Sequence, residues 1–214
     1  MRSIAKRLSA LCLCAFLTAA PAADGLAALA ADAGTVHIAS AREFKAFAAK
    51  CVSNTYSQGL RVVLDKDIDL SGFGSISAPV FCGEFDGQHH TISGYSCAGK
   101  GSDRGLFRYV KPGAEIHNLT VSGRVAPEGT KSGLGMIAGR NEGLIRACAV
   151  AGEVTGDESV GGIVGVNEAS GVIRDCVSEA AVTGSTNAGG IAGRSEGTIE
   201  GCVNRGDVNI DSEQ

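Results

Sequence analysis

The 214-residue sequence predicts an all-β fold, a parallel β-helix of about four to five coils with a short capping helix at its N-terminal end. Three observations predict it. The second half is self-similar at periods of 26 and 28 residues. Thirty-one glycines stand against 5% aromatic residues and no Trp, so small side chains must pack closely where a compact globule would use rings. Inward-facing candidates recur three residues apart, a spacing that one flat strand cannot point to a single side.

The chain opens with Arg2, Lys6 and Arg7 followed by an apolar run from Leu8 to Ala20, too short to cross a bilayer. This pattern predicts a secretory signal peptide over residues 1–30, with cleavage after Ala30 preferred over the alternative after Ala22. Its removal takes out more basic than acidic groups, so the mature chain is more acidic than the formal charge of −4. No stretch gathers Lys and Arg into a patch, which argues against nucleic acid as a partner. No later segment has the unbroken apolar length of a membrane span, so the expected destination is secreted or cell-surface.

Residues 31–104 form the next unit, a capping helix and the first strands. Ser40 and Glu43 make a capping box, and Phe44, Phe47, Ala48 and Cys51 follow at helical spacing. An amphipathic helix is the expected cover for the open edge of a first coil. Leu60 to Leu70 alternates as a strand, and Phe85 to Gly94 reads as a turn followed by a strand.

Residues 105–214 carry the repeat, with copies near 105–132, 133–159, 160–187 and 188–214. Gly135-Met136-Ile137-Ala138-Gly139-Arg140-Asn141-Glu142-Gly143 is echoed by Gly161-Gly162-Ile163-Val164-Gly165-Val166-Asn167-Glu168 and by Gly189-Gly190-Ile191-Ala192-Gly193-Arg194-Ser195-Glu196-Gly197. The insertion Ala169-Ser170 reconciles the two periods and falls in a turn. Ile137, Ile163 and Ile191 form one inward column; Cys148, Cys176 and Cys202 form a second; Val154, Val182 and Val208 form a third. Within a copy, Ile145 and Cys148 both belong inside, so a corner must lie between them. Leucine-rich repeats need more leucine than this segment has, and helical repeats would not tolerate its glycines.

Asp67-Ile68-Asp69-Leu70, Gly83-Glu84-Phe85-Asp86-Gly87, His90-Thr91-Ile92-Ser93-Gly94, Gly105-Leu106-Phe107, Asn118-Leu119-Thr120-Val121 and the Gly-Gly-Ile-x-Gly copies together carry a resemblance. Over roughly residues 36–210 the chain resembles the GLUG-repeat family of bacterial surface proteins, whose repeat also occurs beside the peptidase domain of some immunoglobulin-cleaving metallopeptidases. The resemblance implies architecture and is nearly silent on activity. Arg108 stands where the family's first copy usually has Gly.

Candidate sites are few. The cysteine column reads as buried core thiols, because a ladder spreads its donors along an axis instead of converging them on an ion. Among the remaining thiols, Cys82 and Cys97 are the preferred disulfide pair for a secreted protein. Asp65, Asp67 and Asp69 alternate on one face but fail the calcium-loop pattern, with Leu70 where the invariant Gly belongs. The best binding candidate is a polar stripe at one repeated turn: Arg140, Asn141, Glu142, Asn167, Glu168, Arg194, Ser195 and Glu196. No catalytic residue, cofactor or metal site is expected, and no His is followed by Glu as a zinc-peptidase motif requires.

These readings predict a non-enzymatic secreted or cell-surface repeat module that acts as an adhesin or binding scaffold. Its expected partner is a host or cell-surface protein or a glycan, and the C-terminal coil is a point for continuation or self-association. The alternatives are a carbohydrate-active β-helix enzyme, of polysaccharide lyase or glycosidase type, and an accessory or truncated part of a larger surface protein or peptidase.

Overall fold

The computed structural model of the chain describes residues 34–129 and 131–211, so the signal-peptide reading lies outside the described residues. Within them the chain is a stack of short parallel strands, every pairing parallel and every partner one coil away.

The first sheet runs through seven strands: Thr35–Ile38, Arg61–Leu64, Glu84–Asp86, Glu115–His117, Leu144–Arg146, Val172–Arg174 and Thr198–Glu200. Seven stacked strands make six turns of the chain, more than the four to five expected. The additional turns lie before Leu106, where aromatic side chains fill the interior and the Gly-Gly-Ile pattern is missing. The second sheet has five strands, from Ala78–Phe81 through Phe107–Val110, Ala138–Asn141 and Val164–Asn167 to Ala192–Ser195. The third sheet starts at Ile68–Asp69 and includes Thr91–Cys97, Thr120–Val125, Ala149–Thr155 and Val177–Gly184, with Val203–Asn204 and Val208–Ile210 both pairing onto the last of these. A fourth, short sheet joins Ser132–Leu134, Glu158–Gly161 and Thr186–Gly189.

Each inward column follows from these registers. Ile116, Ile145, Ile173 and Ile199 stack through the first sheet, and Val125, Val154, Val182 and Val208 through the third. Ile137 donates its N–H to Ile163, and Ile163 to Ile191, at 2.9 and 3.0 Å. Ile137, Cys148, Val154, Ile163, Cys176 and Val182 are buried, whereas Ile191 and Cys202 are partly buried. Val208 differs: it is 40% exposed, because the last described coil has no further coil over it.

The corner required between Ile145 and Cys148 is a single left-handed residue. Asn118, Ala147, Asp175 and Gly201 occupy equivalent positions with φ of 53°, 49°, 52° and 62°. That one residue turns the chain by reversing the local hand, which lets Ile and Cys face inward from adjoining sheets. The expected strand over Leu60 to Leu70 is likewise two strands, Arg61–Leu64 and Ile68–Asp69, on different sheets. Straight alternation would have driven Lys66 into the core; the corner leaves it exposed.

The repeated middle glycines have a specific cause. A Cβ on Gly139, Gly165 or Gly193 would come within 2.3 Å of backbone at Asp103, Gly133 or Ser159, the corner of the preceding coil. At the corresponding Arg108 the side chain instead folds back to the carbonyls of Asp103 and Ser102 at 3.2 and 3.4 Å. Arg108 lies in a coil that precedes the first strand of the fourth sheet, so its position has the room that the later copies lack.

At the N-terminal end, helix Ala41–Lys50 is capped by Ser40, whose hydroxyl accepts the Glu43 N–H at 3.3 Å. Phe44, Phe47, Ala48 and Cys51 are buried as the spacing predicts. The helix stands where a strand would otherwise precede Ala78–Phe81, and the Cys51 carbonyl accepts the Val80 N–H at 2.8 Å. The exposed edge of the second sheet is thereby covered.

Candidate functional site

Two groups of polar side chains differ from ordinary solvated surface, and the sequence pointed to one of them. The predicted stripe divides by position. Asn141 and Asn167 are fully buried, not hydrated, which corrects their assignment to a surface turn. They occupy an interior column, Phe81, Val110, Asn141, Asn167, Ser195, at the corner between the second and first sheets. The Asn141 amide donates to Asn167 Oδ1 at 2.8 Å, and the Asn167 amide donates to Ser195 Oγ at 3.1 Å. Asn141 also closes its own turn, accepting the Gly143 N–H at 3.1 Å and donating to its carbonyl at 3.2 Å. An asparagine is tolerated inside because its donors and acceptor are all engaged by this ladder.

The charged members of the stripe face outward and pair across coils. Arg140 binds Glu168 of the following coil and lies 3.3 Å from Asp103 of the preceding one; burial opposes its charge, but these two carboxylates push its pKa up. Lys111 binds Glu142 in the same diagonal sense. Val166 replaces Arg in the third copy, so Glu196 takes Arg194 of its own coil, at 3.3 Å. Shallow clefts follow the neighbouring edge around Gly113; the one furthest toward the C-terminal coils, about 450 Å³, is lined by Pro112, Glu115, Glu142, Ser170 and Arg174. Of the eight predicted binding residues, Glu142 alone lines it.

The cysteine column is a ladder of thiols. Cys148, Cys176 and Cys202 each donate to a carbonyl of the previous coil, Ile116, Ile145 and Ile173, at 3.6 to 3.7 Å. Burial pushes the Cys148 thiol well up, which keeps it protonated and unreactive. The expected Cys82–Cys97 bridge is corrected: both are free thiols. Cys82 follows a strand of the second sheet, with its N–H on Ser57 Oγ at 2.9 Å, and Cys97 ends a strand of the third, so they sit on different faces of the coil. Burial, then the nearby Cys82, pushes the Cys51 thiol up to about 12.

The second group lies on the outer face of the first sheet and was not singled out from the sequence. Glu84 and Asp86 alternate outward from one strand, and His117 of the next coil stacks in register with Asp86. Asp86 and His117 are 4% and 5% exposed although they face away from the core, because Arg61, Gln88 and Asn118 cover them. His117 Nε2 is 3.1 Å from Glu84 Oε1, and its Nδ1 is 3.5 Å from Asp86 Oδ1. Arg61 enters from the preceding coil, 3.2 Å from Asp86 and 3.7 Å from Glu84. Burial alone would raise the Asp86 pKa; hydrogen bonds from the Gln88 backbone, Asn118 and the Gln88 side chain outweigh it and hold the carboxyl below its usual range. The signal that finds this group is register: once Phe85 is aligned with Ile116, His117 falls over Asp86.

Asp65 and Asp67, which fail the calcium-loop pattern, each meet a histidine of a neighbouring coil, His37 at 2.8 Å and His90 at 3.1 Å. The Thr91 N–H and then His90 lower the pKa of Asp67.

Comparison with known proteins places this architecture. Residues 156–183 match the family model of the GLUG motif, so the chain carries that motif from the end of its second repeat copy through most of its third. Over 106 residues, 47% of the chain, it is 34% identical to halomucin of Haloquadratum walsbyi, of which that stretch makes up 1%. It superposes with a TM-score of 0.67 and 25% identity on the crystal structure of a Bacteroides ovatus protein described as an immunoglobulin A1 protease. That match covers 85% of this chain and 63% of the other, so the chain spans less than two thirds of either relative. No helix among the described residues is long and apolar enough to cross a membrane.

Proposed function

We propose that this chain is a non-enzymatic, secreted or cell-surface scaffold that binds a protein or glycan along its stacked coils. One observation carries the reading: outward charges pair from coil to coil at six places along the stack. Lys111–Glu142, Arg146–Glu115, Arg140–Glu168, Arg174–Glu200, Arg124–Glu153 and Arg205–Glu179 all join neighbouring coils. A glycosidase needs one carboxyl poised as acid and another as base or nucleophile, whereas these carboxylates are each held by a cation. A surface of paired charges repeated along an axis is suited to recognising an extended partner.

Two further points support the placement outside the cell. Residues 1–30 have the composition of a secretory leader. The relatives' names, a mucin and a protease of an immunoglobulin, are those of proteins that meet extracellular material. The small share of halomucin that is matched supports reading the coils as a unit reused within longer chains.

The test is a glycan and serum-protein array probed with the whole chain, run beside release assays on the same polymers. Saturable binding without product is the expected outcome. Cleavage of any polymer that is lost in Glu84→Gln or Glu142→Gln would overturn the scaffold reading in favour of a carbohydrate-active enzyme.

A further inference from the structure

We propose that Glu84, Asp86 and His117 form a binding site for one divalent transition-metal ion, for which the Arg61 guanidinium is the resident competitor. The proposal stands independently of the scaffold reading. A donor atom from each of the three residues lies within 4.8 Å of the other two. An ion with bonds of about 2.0–2.2 Å holds its ligands roughly 3–3.5 Å apart, so a closure of about 1 Å completes the set. Glu84, 40% exposed, is the side chain free to make that closure. Asp86 and His117 are both 6% exposed at the side chain and are fixed by their neighbours.

The surroundings orient the donors. Asp86 accepts from the Gln88 N–H at 3.0 Å, the Gln88 side chain at 2.6 Å and the Asn118 amide at 3.3 Å. His117 Nδ1 lies 2.9 Å from the Asn118 amide group and 3.5 Å from Asp86; once the ring proton is on Nδ1, donated toward Asp86, and the Asn118 amide turns to present its oxygen, Nε2 beside Glu84 is free to be the ligand. Outer partners of this kind set ring orientation in metal sites. The nearby Glu115 is engaged by Arg146 at 2.6 Å and does not compete for the position.

Arg61 shows that this pair of carboxylates holds a cation. Its guanidinium bridges them, yet half of its side chain is exposed and its long stem can swing outward. With a neutral imidazole, two carboxylates and one guanidinium leave a net negative charge, which a dication replacing the guanidinium removes. One nitrogen and two carboxylate donors without sulfur suit Zn²⁺, Mn²⁺, Fe²⁺, Co²⁺ or Ni²⁺ better than Ca²⁺, which takes oxygen ligands. A cleft of about 320 Å³ lined by Arg61, Gly83, Glu84 and Glu115 borders the Glu84 side of the group.

The experiment is titration of the whole chain with Zn²⁺ by calorimetry and with Co²⁺ by absorption spectroscopy. The expected result is one ion per chain, with cobalt bands free of sulfur charge transfer. Glu84→Gln and His117→Gln should each weaken binding about 10- to 100-fold. Arg61→Gln should tighten it several-fold, the opposite of what a purely structural charge network would give. If His117→Gln melts before it can be titrated, Glu84→Gln, at an exposed side chain, carries the test. Absence of saturable binding at millimolar ion, binding unchanged in Glu84→Gln, no tightening in Arg61→Gln, or a sulfur-to-cobalt band would each overturn the site.

Discussion

The two ends of the solenoid solve the same packing problem differently. Toward the helix, the interior is filled by Phe44, Phe47, Phe81, Phe85 and Phe107 in edge and tilted contacts, with Phe81 and Phe107 ring centroids 5.1 Å apart. Toward the C-terminus, the same column that begins with Phe81 continues as Val110, Asn141, Asn167 and Ser195, and Leu134 gives way to Val160 and Ala188. The core therefore narrows as it leaves the cap. Rings of irregular orientation form one jigsaw that cannot be copied from coil to coil, whereas Ile, Val, Cys and Asn columns form a lattice in which each coil repeats the last. A lattice should fail locally and a jigsaw globally.

The largest expected effect probes the lattice. Ile163→Asp places an unpaired charge between Ile137 and Ile191 and should cost about 4 kcal/mol or more. Hydrogen exchange followed by mass spectrometry should show lost protection over roughly residues 133–190, with the helix and aromatic coils still protected. Uniform loss along the chain would mean that the two regions are one cooperative unit, and the contrast would fall.

Phe85→Ala comes next. This ring touches Phe44, Phe47, Phe81 and Phe107 and is fully buried, so the cavity should cost about 3–5 kcal/mol. Here helix Ala41–Lys50 should release with the first coils, read as lost helical signal early in a thermal melt. Retention of the helix would show that its cap and the Val80 bond hold it without the rings.

Asn167→Ala is smaller and asks whether the amide ladder joins coils. It removes the acceptor for Asn141 and the donor to Ser195 and Gly171, for an expected loss of about 1–3 kcal/mol. Chemical denaturation of this variant with Asn141→Ala and the double variant would measure the coupling. Additive losses would mean that each Asn serves only its own turn.

The contrast also explains what could be read from residues alone. Ile137, Cys148 and Val154 were legible as inward columns because a lattice repeats its chemistry at fixed intervals. The insertion Ala169-Ser170 was legible as a turn, and the register shows it: Asn141 pairs with Asn167, while Leu144 pairs with Val172 two residues further on. Asn141 was misplaced because polarity argues for solvent unless the corner geometry that satisfies an inward amide is known. The early coils escaped because aromatic packing leaves no period. His117 over Asp86 escaped for the same reason: pairing across those coils can be found only once their register is fixed.

The smallest effect tests the corners themselves, and it should be a gain. Ala147 sits at φ of 49°, a conformation that costs an L-residue with a Cβ about 1–2 kcal/mol, and its side chain is exposed, so it contributes little packing in return. The equivalent positions hold Asn118, Asp175 and Gly201, residues that adopt this conformation more readily. Ala147→Gly removes the Cβ clash but loosens the unfolded chain, leaving a net stabilisation of about 0.5–1 kcal/mol. Ala147→Asn should match or exceed it, because asparagine tolerates the left-handed region without glycine's extra freedom. A rise in melting temperature for both variants would show that corner strain is local to each coil of the lattice. A fall would mean that the Ala147 methyl contributes packing that outweighs its strain, and that the corner is held by its neighbours instead of by its own residue.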